Sequence, residues 1–163
     1  MSNAMKRKTF DAIVWSLSLL FAFGLLMDSA LADSNGFSAS NATWKAECGS
    51  CHLAYPPNLL PAPAWRRTLA GLDKHFGTDA SIDARSAAEI GAFLERNAAA
   101  GRKRGTDSGT LRISETPWFR RKHDEVAAST WKNPKVQTAA NCPACHAGAG
   151  RGDFDEHAVR IPR

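Results

Sequence analysis

The stretch that decides the fold is "ECGSCHLAYPPNLLPAPAW", residues 47–65. It places two cysteines three positions apart, with a histidine directly after the second. The same pattern returns near the other end of the chain in "NCPACHAG", residues 141–148. The sequence holds four cysteines, so two copies of C-x-x-C-H use all of them. Their residues are Cys48, Cys51 and His52, and then Cys142, Cys145 and His146.

The C-x-x-C-H pattern is typical of covalent haem attachment. Two thiols add across the two vinyl groups of one haem, and a separation of about one helical turn lets both reach the ring. The histidine that follows is placed to bind the iron from the same side. We therefore expect two c-type haems, one attached through Cys48/Cys51 and the other through Cys142/Cys145. Each iron takes one axial ligand from its motif, which is His52 or His146.

Other uses of paired cysteines explain the sequence less well. Two C-x-x-C pairs that bind a structural zinc usually lie about 15–20 residues apart, whereas 91 positions separate Cys51 from Cys142. A thioredoxin-like redox motif needs a βαβ setting, and the sequence has no strand-rich pattern. Two structural disulfides would suit an oxidising compartment, but they give no reason for a histidine after each pair.

Residues 1–32 read as an expression-tag remnant followed by a cleaved signal peptide. A basic start at residues 6–8 precedes an apolar stretch at residues 12–27, and Ala30-Leu31-Ala32 offers the small-x-small cleavage pattern. The apolar stretch is shorter than the roughly 20 residues of a bilayer span. We expect cleavage near Ala32, export, and no stable membrane insertion afterwards. The formal net charge is +5 and most basic residues are scattered, so we expect no nucleic-acid partner.

Each iron needs a second axial ligand, and composition narrows the choice. All three methionines lie in the first 32 residues, so the mature chain offers no methionine ligand. Three histidines remain outside the two motifs: His75, His123 and His157. Imidazole is a common axial ligand of haem iron. Two of these three side chains are therefore expected to complete the two sites.

Sequence context favours His75 and His123 as the second ligands. His75 borders the apolar stripe of "PAPAWRRTLAGLDKHFG", residues 61–77, so it can point inward. His123 shares a helix face with Phe119 and Val126, after a start at Thr116-Pro117. His157 has acidic neighbours and no clear periodic face, so we expect it to be exposed or hydrogen-bonded.

The spacing of the histidines suggests local pairing. His52 and His75 are 23 positions apart, and so are His123 and His146. Each half of the chain then encloses its own haem, although crossed pairing stays open at this point.

Strand signals are nearly absent, so we predict a mainly α fold: a small two-lobed c-type cytochrome whose helices and long loops pack around two haems. Helices are expected near residues 40–49, 63–76, 82–99, 117–128 and 135–146. The predicted division is an N-terminal haem lobe at 33–100, a glycine-rich charged linker at 101–113, and a C-terminal haem lobe at 114–163. Tryptophans and phenylalanines are expected to fill the core around the rings.

The sequence resembles the bacterial dihaem cytochrome c family known as DHC. The likeness runs in one order over nearly the whole mature chain, through residues 47–65, "GLDKHFGTDASID", "RISETPWFRRKHDE", "NCPACH" and "GDFDEHAVRIPR". In that family both haems are bis-histidine ligated, which carries over to His52, His75, His123 and His146. The resemblance implies a periplasmic electron carrier, partnered by a membrane b-type cytochrome and a soluble haem-protein acceptor.

Two histidines on each iron leave no vacant position for a substrate, so we expect an electron-transfer protein rather than an enzyme. One alternative in the same class is the small dihaem subunit of a periplasmic reductase, similar to that of nitrate reductase. Another alternative is a haem enzyme or gas sensor with one labile histidine ligand.

Overall fold

Helices and turns make up the part of the chain that the structure describes, which in this computed structural model is residue 37 and residues 39–100 and 109–163. The predicted mainly α fold is confirmed. The predicted signal peptide and most of the predicted linker lie outside the described residues, so the division into two haem lobes stays a prediction. In chain order the described α-helices are α1 (Ala42–Gly49), α2 (Ala62–Ala70), α3 (Ala84–Arg96), α4 (Pro117–Lys122) and α5 (Ala128–Trp131).

Side-chain caps fix where three of these helices begin. Asn41 Oδ1 accepts a hydrogen bond of 2.7 Å from the Trp44 amide at the start of α1. The Asp83 side chain accepts hydrogen bonds from backbone amides in the first turn of α3. Thr116 Oγ1 accepts a hydrogen bond from the Phe119 amide at the start of α4. Each cap satisfies an amide that has no partner within its own helix. The predicted start of the fourth helix at Thr116 is thereby confirmed.

The first three helices share one apolar core. Along α3 the buried residues follow helical periodicity, because Ile90, Phe93 and Leu94 fall on one face. The Trp65 ring is buried there, and its indole N–H donates a hydrogen bond of 2.6 Å to the Pro57 carbonyl. Tryptophan therefore fills the core in this half, as expected from the sequence. The buried cluster comprises Trp44, Leu60, Ala64, Trp65, Ile90, Phe93 and Leu94.

The described residues after 109 contain far less buried apolar surface. Their buried hydrophobic residues are Phe119, Val136 and Ala149. Short 3₁₀ turns and hydrogen bonds hold this part, including a bond of 2.9 Å from the Arg160 amide to the Cys145 carbonyl. Side chains of these described residues therefore supply only a small apolar core, as expected for a short chain that packs around a haem.

The helices predicted over 40–49 and 82–99 form within three residues of their expected bounds, whereas the other three predicted helices differ more. The helix predicted over 63–76 ends at Ala70, and the helix predicted over 117–128 ends at Lys122. No α-helix forms over 135–146: Gln137 has a positive φ of 65°, and Pro143 has no amide hydrogen to donate. A 3₁₀ turn at Cys142–Ala144 takes its place. None of the helices in the described ranges is both long and apolar enough to cross a bilayer.

Candidate haem-binding sites

The first site begins where α1 ends. Cys48 lies in the last turn of α1, and Cys51 and His52 lie in the turn and bend that follow. The ring nitrogen Nδ1 of His52 donates a hydrogen bond of 2.7 Å to the Leu53 carbonyl. Because Nδ1 then carries the hydrogen, the lone pair of the neutral ring resides on Nε2. His52 is thus prepared to bind a metal through Nε2.

The partner of His52 lies in a tight turn rather than on a helix. A 3₁₀ turn, Leu72–Lys74, leads to His75, and the Thr78 amide donates a hydrogen bond of 3.1 Å to the His75 carbonyl. The next residue, Phe76, has a φ of 51°, which is rare for a residue with a side chain. This turn brings the His75 ring within 6.1 Å of the His52 ring, centroid to centroid, with 22° between the planes.

The second site is held by different elements, which are a turn closed by a hydrogen bond and the end of α4. The amide of His146 donates a hydrogen bond of 2.8 Å to the Cys142 carbonyl, which closes the second C-x-x-C-H motif on itself. His123 is the C-cap residue of α4, and its Nδ1 donates a hydrogen bond of 2.9 Å to the Phe119 carbonyl. The His123 and His146 ring centroids lie 6.2 Å apart, with 77° between the planes.

The structure therefore brings the four histidines together in two local pairs. His52 lies beside His75, and His123 lies beside His146. Crossed pairing, which the sequence alone left open, is not the arrangement observed. His157 is exposed, as the sequence predicted, and its amide donates a hydrogen bond to Asp155 in a short 3₁₀ turn.

Burial shifts the titration of several of these groups. It lowers the pKa of His75 and His146, and the neighbouring histidine of each pair lowers it further. Neutral imidazole is the form that binds a metal. Burial also raises the pKa of the Cys142 thiol to about 11 and raises the pKa of Cys48. Reactive redox dithiols show the opposite shift, so the pairs do not resemble a thioredoxin-like centre.

Aromatic residues that the sequence did not single out for the sites line both of them. The Tyr55 ring stacks on His52 with centroids 4.9 Å apart. Phe154 lies 5.4 Å from His146, centroid to centroid, and 4.9 Å from Phe37. Tyr55 follows the first motif by three residues, so an aromatic residue soon after C-x-x-C-H was an available signal. Phe154 gives no such signal, because it lies eight positions after His146.

Comparisons with known proteins agree on one family. The sequence profile of the family described as "DHC: Dihaem cytochrome c" matches residues 44–154. No curated protein matches significantly. A solved structure of a dihaem cytochrome c from Rhodobacter sphaeroides is 44% identical, with a TM-score of 0.66, and the match covers 72% of this chain and 99% of that one. A dihaem cytochrome c from Shewanella baltica OS155 is 45% identical, also with a TM-score of 0.66, and the match covers 75% of this chain and 93% of that one.

The side chains described above fit such a cofactor. Two imidazoles that bind one metal from opposite sides through bonds of about 2 Å place their centroids about 6 Å apart, close to the separation in both pairs. The four cysteines are free thiols, two before each motif histidine. A cavity of about 290 Å³ also borders His52.

The profile match spans more than half of the sequence, and both relatives are more than 40% identical over nearly their whole length. Their family is described as one of cytochromes c with two haems. This chain therefore belongs to the dihaem cytochrome c family: it binds two c-type haems and functions in electron transfer.

Proposed function

We propose that this chain is a periplasmic electron carrier and not an enzyme. In this proposal His52 and His75 bind the iron of the haem attached through Cys48/Cys51. His123 and His146 bind the iron of the haem attached through Cys142/Cys145. Residues 1–32 direct export and are removed.

The observation that carries the proposal is the spacing of the two histidine pairs. Both pairs have centroid separations near 6 Å, the value that two axial imidazoles on one metal require. In each pair the Nδ1 of one ring also donates a hydrogen bond to a backbone carbonyl: His52 donates to Leu53, and His123 donates to Phe119. These bonds orient the rings and leave Nε2 for the metal.

The same arrangement supports a carrier role over catalysis. A haem bound at either site would supply a one-electron Fe(III)/Fe(II) couple. The paired imidazoles would occupy both axial positions, so a substrate or gas molecule must displace a histidine before it can bind the iron. Histidine in place of methionine also favours a low potential, because methionine ligation raises it.

We further propose that the chain receives electrons from a membrane b-type cytochrome and passes them to a soluble haem protein. The resemblance to the DHC family supports both partners. Docking through local charge is favoured by the basic last turn of α4, residues 120–122. The side chain of Lys122 in this turn lies 3.8 Å from Glu156, so the patch is partly compensated.

Carbon monoxide tests the carrier proposal directly. The protein is matured in a host that attaches c-type haem, and its haem content is measured before the ferrous form is exposed to the gas. We expect two haems per chain and an unchanged Soret band, because neither iron has an open position. A large shift of the Soret band in the native protein would show an open or easily opened iron, and would instead support a sensor or an enzyme.

A further inference from the structure

Tyr55 contacts both candidate haem sites. Its ring stacks on the His52 imidazole, with the centroids 4.9 Å apart and 26° between the planes. Its hydroxyl donates a hydrogen bond of 2.8 Å to the backbone carbonyl of Ala140, which lies 85 positions further along the chain. Ala140 lies two positions before Cys142, the first residue of the second C-x-x-C-H motif. One side chain therefore spans the distance between the two attachment motifs.

The Ala140 carbonyl is itself close to the second motif. Its oxygen lies 3.7 Å from Sγ of Cys142, the atom that would be bonded to the second haem. The hydroxyl of Tyr55 and the sulfur of Cys142 thus meet at the same carbonyl oxygen. A displacement of Tyr55 would be passed to the anchor of the second haem through this single backbone group.

The surroundings of Tyr55 suit it to hold a fixed position. The side chain is half-buried and packs against the core cluster of Trp44, Trp65 and their neighbours. Two buried prolines, Pro56 and Pro57, follow it and restrict the backbone. A phenol is protonated at neutral pH, so the Tyr55 hydroxyl can donate its hydrogen bond to Ala140.

We propose that Tyr55 is a positioning residue that couples the two haem sites. Its ring sets the orientation of the His52 imidazole, and its hydroxyl fixes the segment that carries Cys142 relative to that imidazole. The inference rests on the ligand assignment made under Proposed function and adds to it a residue that binds neither iron.

Coupling of this kind has a physical basis at both ends of the side chain. Groups that contact an axial ligand fix its orientation and tune the metal that it binds. The potential of a haem also depends on hydrogen bonding around it and on distortion of the ring. Moving the backbone before Cys142 would change how the second haem is held. Turning the His52 ring would change the orientation of a ligand of the first haem.

Two substitutions separate the ring of Tyr55 from its hydroxyl. Tyr55→Phe keeps the stacking on His52 and removes only the bond to Ala140. Tyr55→Leu removes both contacts. Each variant is prepared with both haems attached, and the midpoint potential and low-spin EPR signal of each haem are followed in one redox titration. Phe154→Leu, which removes the aromatic ring beside His146, is the matched control and identifies the signal of the second haem.

We expect Tyr55→Phe to shift the potential of the haem attached through Cys142/Cys145 while the EPR signal of the His52 haem keeps its shape. Tyr55→Leu is expected to shift both haems. If Tyr55→Phe leaves the second haem unchanged in a protein with two low-spin haems, the coupling role is wrong and the carrier proposal stands. A native protein with fewer than two haems, or with a high-spin haem, would overturn the carrier proposal, and the coupling role that rests on it.

Discussion

The imidazole planes of His123 and His146 lie 77° apart, nearly perpendicular, whereas those of His52 and His75 lie only 22° apart. Perpendicular axial imidazoles leave two iron d orbitals nearly equal in energy, and parallel ones separate them. We therefore expect two different low-spin EPR signals from the oxidised protein. The His123/His146 haem should show the larger g anisotropy. Low-temperature EPR checks this, and two identical signals would contradict it.

Loss of one proposed second ligand should open one iron. In His75→Ala or His123→Ala, we expect one of the two haems to become high-spin and to bind carbon monoxide in the ferrous state. The other haem should keep its native spectrum. His157→Ala is the control, because His157 is exposed in a 3₁₀ turn. Visible spectra of the three variants with and without the gas test the assignment, and a low-spin His75→Ala protein would exclude His75 as a ligand.

Thr116→Ala should weaken the start of α4. The Thr116 hydroxyl accepts a hydrogen bond from the Phe119 amide and donates one to the Ile113 carbonyl, and the residue is buried. Loss of such a cap costs about 1 kcal/mol of unfolding free energy. Thr116→Ser keeps the hydroxyl and should lose less. Denaturant titration of the haem-bound protein measures both, and equal losses would mean that packing of the methyl group matters more than the cap.

Gly152→Ala should destabilise the protein, whereas Gly150→Ala should not. Gly152 has a φ of 76°, and a Cβ there would collide with the backbone of Phe37. Left-handed backbone alone costs a residue with a side chain about 1–2 kcal/mol. At Gly150 a Cβ would meet no neighbouring atom within 4 Å. Thermal unfolding of the two variants checks the difference, and similar melting temperatures would show that the loop yields easily.

Protein without haem should lose structure unevenly. The core around Ile90 and Leu94 is built from side chains, whereas the described residues after 109 bury only a few apolar groups. Amides of that second part should therefore exchange with solvent faster than the amides of α3 when haem is absent. Hydrogen exchange of the haem-free and haem-bound chains tests this. Equal protection in the two parts of the haem-free chain would show that the second part folds without its cofactor.

Local chemical signals were enough to predict much of this molecule. The two C-x-x-C-H motifs predicted two c-type haems, and Thr116-Pro117 predicted the start of α4. The periodic spacing of Ile90, Phe93 and Leu94 predicted the buried face of α3. Each of these features depends on residues that lie within one or two helical turns of one another, so the local sequence is enough to predict it.

Other features depended on contacts that the sequence does not display. The helix predicted over 135–146 is replaced by turns, because Gln137 adopts a positive φ and Pro143 lacks an amide hydrogen. His75 was expected near the end of a long helix, but the helix stops at Ala70 and the ring is presented by a turn. The contact of Tyr55 with Ala140 joins distant parts of the chain, and no local pattern could reveal it.

The hydrogen bond between Tyr55 and Ala140 affects the order in which the molecule folds. A bond between positions 85 residues apart closes a long loop, and the entropy of closing it must be overcome before such a contact becomes favourable. By comparison, the hydrogen bond from the His146 amide to the Cys142 carbonyl in the second C-x-x-C-H turn joins nearby residues and forms without that entropic cost. We therefore expect each motif to reach its own shape early and the two to join late, so that the machinery that attaches haem meets them as separate segments.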